Sequence, residues 1–178
     1  MGNVLKEFDD LEESAVEEYR AMFLYLKGRL LNISGDFNCQ AEAVLSRAVK
    51  LSPTLVEAWN ELGESYMRKR DWTTAKTCFE GALQHKKNKV SLRNLSMTLR
   101  QIPASSAEEK ISNIEQVLLK GKDAVGMDTA DGQSWSLLGN AYLSHFFQVR
   151  IYFKAHNSII MWLSFSYIKH FIYTKINL

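Results

Sequence analysis

Apolar residues return along this chain at intervals of three and four, the spacing that places side chains on one face of an α-helix. Between Ser52 and Leu83, Trp59, Leu62 and Tyr66 make one such face, and Ala75, Phe79 and Ala82 make a second. Asp71 stands between them as an N-cap for the second helix, so the stretch predicts a helical hairpin. Thr54 and Glu57 are spaced as a capping box for the first helix, and Pro53 sits where a missing N–H costs little. Gly63 carries no side chain and lets the second helix come close, with Ala75 and Ala82 expected to meet it. If the Trp59 ring is buried, Trp59→Ala should cost about 3–5 kcal/mol.

The same positions spell W-x2-L-G-x2-Y followed by A-x3-F-x2-A, the pattern of one tetratricopeptide repeat. One repeat upstream, Gly28, Ala41, Leu45, Ala48 and Pro53 fit it, given one extra residue in the Gly35-Asp36 turn. Downstream, Leu92, Leu95, Ser96 and Leu99 form a degenerate first helix in which Ser replaces Gly. Its partner is delayed by the loop Gln101 to Ala107, after which Ser105 with Glu108 is placed to cap a helix reaching about Val125. The motif returns as Trp135, Leu138, Gly139 and Tyr142, 76 residues after Trp59, which is two repeats plus an added loop. Beyond Tyr142 the second helix would need Ala, Phe and Ala, and the chain offers Ile151, Ala155 and Ser158. The expected fold is an all-α tetratricopeptide-repeat solenoid of about three and a half irregularly spaced repeats. Residues 1–21 are expected to form an amphipathic helical segment, 22–148 the repeat array, and 149–178 an apolar basic tail.

Charge separates the tail from the body. Residues 149–178 hold Arg150, Lys154, Lys169 and Lys175 and no acid, so a net charge of +2 for the chain leaves the rest slightly acidic, at −2. That disfavours direct nucleic-acid binding, although a basic stripe along the first helices would restore an RNA-binding alternative. Lys169 and His170 cut the apolar run of the tail to about ten residues where a membrane span needs roughly 20, which leaves a membrane-anchored scaffold as the other alternative. The tail is rich in Ile, Phe, Tyr, Lys and Asn, and Gln148-Val149-Arg150 reads as an exon end running into a splice donor. Retained-intron translation is therefore the expectation for residues 149–178.

No catalytic constellation is expected. The histidines His85, His145, His156 and His170 lack metal-protease spacing, and no nucleophile elbow or phosphate loop occurs. Cys39 and Cys78 have no ligand-spaced partners, so no metal, cofactor or disulfide is expected. Binding is the better prospect: the first helix of each repeat lines the concave side of such a solenoid. Counting outward from the anchors places Arg29 and Asn32, then Asn60, Glu64 and Met67, then Arg93, Met97 and Arg100, then Ser136 and Asn140 on that side. Asn grips peptide backbone, Met adapts to apolar side chains and Arg pairs with carboxylate, so an extended peptide with an acidic residue is the expected partner. Arg100, Arg93, Met97, Asn60, Glu64 and Asn140 are the candidate peptide-binding residues.

The runs RAVKLSPTLVEAWNELGE, CFEGAL, NKVSLRNLSMTLRQ and DGQSWSLLGNAYLS resemble the N-terminal repeat region of the stress-responsive activator (Strap) family of repeat cofactors. The likeness covers about Lys27 to Phe147. It implies a non-enzymatic adaptor of cytoplasm and nucleus, a cofactor of DNA-damage and stress transcription acting with a histone acetyltransferase. It also implies recognition of the N-terminal peptide of nascent tubulin on the ribosome, in tubulin mRNA autoregulation, with Arg100 matching the arginine that meets the acidic peptide residue. The family's later repeats and OB-fold domain have no counterpart here, so this truncated form is expected to be impaired.

Overall fold

A computed structural model of the protein describes residues 17–156. Seven helices follow one another there: α1 (Glu17–Leu31), α2 (Cys39–Leu51), α3 (Val56–Lys69), α4 (Trp72–His85), α5 (Lys89–Leu99), α6 (Ala107–Met127) and α7 (Gly132–His156). The expectations for residues 1–16 and 157–178 lie outside the described residues. Helices pack in sequential pairs, α1 on α2, α3 on α4 and α5 on α6, and α7 lies against α6. First helices of successive pairs also touch, α1 with α3, α3 with α5 and α5 with α7, which is the stacking of a tetratricopeptide-repeat solenoid.

Local chemistry starts most of these helices. Asn38 accepts from the backbone N–H of Gln40 and Ala41, Asp71 from that of Thr74, and Asn88 from that of Ser91, each satisfying a donor that has no partner inside its helix. Gly35 takes φ +81° in the α1–α2 turn, a conformation that costs a glycine little. Two capping expectations are corrected. The N-cap of α3 is Leu55 without a side-chain bond, and Thr54 lies outside the helix with its hydroxyl 3.5 Å from that of Ser52. At α6 the N-cap is Ser106, whose hydroxyl accepts from Glu109 N–H at 3.1 Å, while Glu109 reaches back to Ser105 N–H at 2.7 Å. Both misplacements are small in sequence, and both follow from the loop deciding which residue leaves the helical conformation.

Packing explains the repeat motif. A Cβ on Gly63 would stand 2.6 Å from two ring carbons of Phe79, so α4 presses its largest fully buried side chain into the gap. Ala75 and Ala82 are buried beside it, but the residue meeting Gly63 is Phe79, which corrects the expectation. Gly28 does the same for Leu45, whose Cγ would lie 2.4 Å from a Cβ there. In the third pair Ser96 fills the glycine position and donates to the Val117 carbonyl of α6 at 3.1 Å, so its hydroxyl is satisfied at the helix contact. Two cores result, one around Leu24, Leu45 and Leu62, the other around Phe79, Leu95, Val117 and Leu138. Burying each such side chain contributes about 1.5–3 kcal/mol.

The fourth motif ends differently. α7 runs through Gln148 to His156 as one helix, and Ile151 and Ala155, which would serve a second helix, lie on α7 itself.

Candidate peptide-binding groove

Three first helices enclose a groove of about 500 Å³. From α5 come Val90, Arg93 and Met97, with Arg100 at its C-cap, spaced so that they share one face; Asn94 adds an amide at the edge. From α3 comes Glu64, and from α7 come Gln133, Ser136, Leu137 and Asn140. Six of the residues expected on that side are thus brought together: Glu64, Arg93, Met97, Arg100, Ser136 and Asn140, five of them candidate peptide-binding residues.

Asn60 is not among them. It is only 8% exposed, and its Oδ1 accepts from Ser91 Oγ at 2.6 Å, which spends the amide on joining α3 to α5. Asn32 is likewise buried and donates to Glu61 at 2.9 Å, and Arg29 donates to Tyr25 one turn away, so neither reaches this groove. Residues missed by counting are Val90 and Gln133, one turn before Arg93 and Ser136, together with Asn94 and Leu137 at the edges. Extending each face by one helical turn would have found the first two; the edges depend on how neighbouring helices are spaced.

The charges in the groove differ in how far they are already committed. Arg93 pairs with Asp131 at 2.6 Å, with both side chains largely covered, and this ties α5 to the start of α7. Asp131 also accepts from Ser134 Oγ, and these partners, the hydroxyl first, hold its carboxyl below the usual range. Arg100 is exposed, and among the described residues its side chain has no hydrogen bond or ion pair. Glu64 accepts from Asn94 Nδ2 at 3.0 Å, but burial pushes its carboxyl above the usual range, with Glu61 adding to the effect. Met97, 43% exposed, lies between the charges as an adaptable apolar surface. This floor suits a peptide: amides for its backbone, an apolar strip and one uncommitted guanidinium. Alternation of Glu64, Arg93 and Arg100, with Arg93 neutralised, gives no continuous basic stripe here.

Among the described residues no group of three or more His, Cys, Asp or Glu is placed to hold a metal, and no helix is long and apolar enough to cross a membrane.

No family model matches the chain. Similar curated proteins do. A mouse relative is 50% identical over 147 residues, 83% of this chain and 33% of its own length. A bovine relative is 54% identical over 127 residues and a human one 51% over 128, covering 71% and 72% of this chain. All three carry one name. The chain resembles tetratricopeptide repeat protein 5. It spans about a third of the length of these relatives. The likeness to tetratricopeptide repeat protein 5 and the stacked hairpins agree on a tetratricopeptide-repeat helical scaffold.

Proposed function

We propose that this chain is a non-enzymatic adaptor that binds an extended, acid-bearing peptide in the groove of α3, α5 and α7. The observation that carries this is the uncommitted Arg100 beside Met97 and the amides of Asn94, Gln133 and Asn140. A guanidinium there meets a carboxylate with two parallel hydrogen bonds, while the amides bond the peptide backbone. Resemblance to tetratricopeptide repeat protein 5 adds the finer proposal: a nascent tubulin N-terminus at the ribosome, and a histone acetyltransferase complex in stress transcription, in cytoplasm and nucleus. Residues 22–148 would carry the binding, with 149–178 taking no part in it.

The test joins the following repeats of the relatives after Gln148 and measures an N-terminal tubulin peptide by fluorescence anisotropy. Arg100→Ala should weaken binding roughly five- to tenfold, the modest range of an exposed charge contact. Equal affinity with and without Arg100 would remove it from the site. For the unextended chain, weaker binding of the same peptide is expected.

A further inference from the structure

In the second repeat the hairpin covers its own tryptophan, with Gly81 of α4 lying against Trp59. α7 keeps an apolar ridge without such a cover among the described residues. Trp135, Leu143 and Phe147 stand at multiples of four residues along it, so they line one slanting ridge, and each is roughly half exposed. A contiguous apolar ridge of this kind marks a docking surface. Two occupants compete for it, a second copy and the rest of this chain. Three side chains of at most about 250 Å², half exposed, offer under about 400 Å², so two copies would bury less than about 800 Å², short of the roughly 1,200 Å² of a stable interface. A tethered segment needs no such area, because closing a short loop replaces the entropic cost of association.

Residues 157–178 follow α7 directly. They hold neither Gly nor Pro, and Phe165, Ile168 and Ile172 recur at helical intervals. Asn157-Ser158 suits a two-residue turn, since Asn accepts the left-handed conformation after one helix and Ser caps the next. We infer that residues 159–174 fold back antiparallel on α7, setting Ile168 against Phe147 and Ile172 against Leu143. Both pairs are centred on the same point, between Asn157 and Ser158, as a hairpin of two helices with equal rise per residue requires. The segment serves as the second helix of the fourth repeat without its Ala and Phe signature, burying Leu143 and Phe147 and stopping short of Trp135. Its effect is to close the array on itself. It shields the ridge from a second copy and steadies α7, which carries Gln133, Ser136 and Asn140 of the groove.

The test places cysteine pairs in the full chain, with Cys39→Ser removing the exposed native thiol. Leu143→Cys with Ile172→Cys should close an intramolecular disulfide under mild oxidation, since facing helices bring such positions within the roughly 4–7 Å Cα separation that a disulfide spans. Leu143→Cys with Phe165→Cys, displaced along the segment by about 10 Å, should form it at no more than about a tenth of that yield. Non-reducing electrophoresis and intact mass separate the outcomes. A disulfide-linked dimer would give the ridge to a second copy, and equal yields from the two pairs would mean a segment without register; either overturns the inference, as does the absence of any disulfide. Independently of cross-linking, Ile168→Glu with Ile172→Glu should speed amide hydrogen exchange around Leu143 and Phe147 about tenfold and leave α3 and α4 unchanged. Unchanged exchange around Leu143 overturns the inference as well.

Discussion

The second and fourth repeats carry the same four anchors and treat them differently. Leu62 and Leu138 are equally buried, because the leucine faces the preceding hairpin, which both repeats possess. Both tryptophans also make the same local bond: Trp59 Nε1 donates to the Pro53 carbonyl at 2.8 Å and Trp135 Nε1 to that of Thr129 at 2.9 Å. They then diverge. Trp59 packs over Gly81 of α4 and stacks on His85, whereas Trp135 is 48% exposed. A Cβ on Gly63 would strike Phe79, while one on Gly139 would meet nothing within 4 Å among the described residues. Trp and Gly serve the repeat's own second helix, and Leu serves its neighbour. Trp135, Leu138 and Tyr142 accordingly do not share one uncovered face: α6 buries Leu138, and Tyr142 is half-buried beneath Lys122.

The largest test of this contrast exchanges the tryptophans. Trp59→Ala should cost about 2–3 kcal/mol, below the loss from a fully buried ring because part of it remains exposed, and Trp135→Ala under about 1 kcal/mol. Labelling of Cys78 gives a local readout, since its thiol is buried in α4 and pushed up to about 12 by that burial. Opening of the second hairpin should speed its modification, which Trp135→Ala should leave unchanged. Equal losses for both tryptophans would show that the bond to the preceding loop, and not the second helix, is what matters.

Gly63→Ala should cost about 1–3 kcal/mol through overpacking against Phe79. Gly139→Ala should be neutral or stabilising by up to about 1 kcal/mol, since only the helix propensity changes. Thermal melts of the two variants decide this, and a destabilised Gly139→Ala would reveal a neighbour for that face.

The smallest expected effect concerns the cap of the second helix. The Thr74 backbone N–H and hydroxyl hold the Asp71 carboxyl below the usual carboxylate range. Because the native value lies below the unfolded one, this contribution is complete above about pH 4 and is lost as pH falls through the native value. Asp71→Ala should cost about 1 kcal/mol near neutrality, and the difference should vanish in acid. A difference that persists in acid would assign the cost to something other than the charged cap. α7 starts on another footing, with Asp131 shared between Ser134 and Arg93, so its pH response is coupled to α5.

Helix identity, pairing and core were legible wherever the information is carried by neighbours in sequence. Gly63 announced that two helices come close, though not that Phe79 fills the gap, and Asp71 announced a cap. The groove was legible in part, because Arg93, Met97 and Arg100 share a face by helical geometry alone. Asn60 looked equally available from that count. Its burial depends on Ser91, 31 residues away, which no periodicity places.

What the sequence determined by itself is therefore the periodic part: which residues form helices, which face is apolar and where a glycine allows two helices to approach. These follow from intervals of three and four residues and from the absence of a Cβ. Tertiary structure alone decided which polar groups on that face were spent. Arg93 went to Asp131 and Asn60 to Ser91, leaving Arg100 and Glu64 with charge to offer, because a hydrogen bond between helices requires partners 31 or 38 residues apart to arrive within 3 Å.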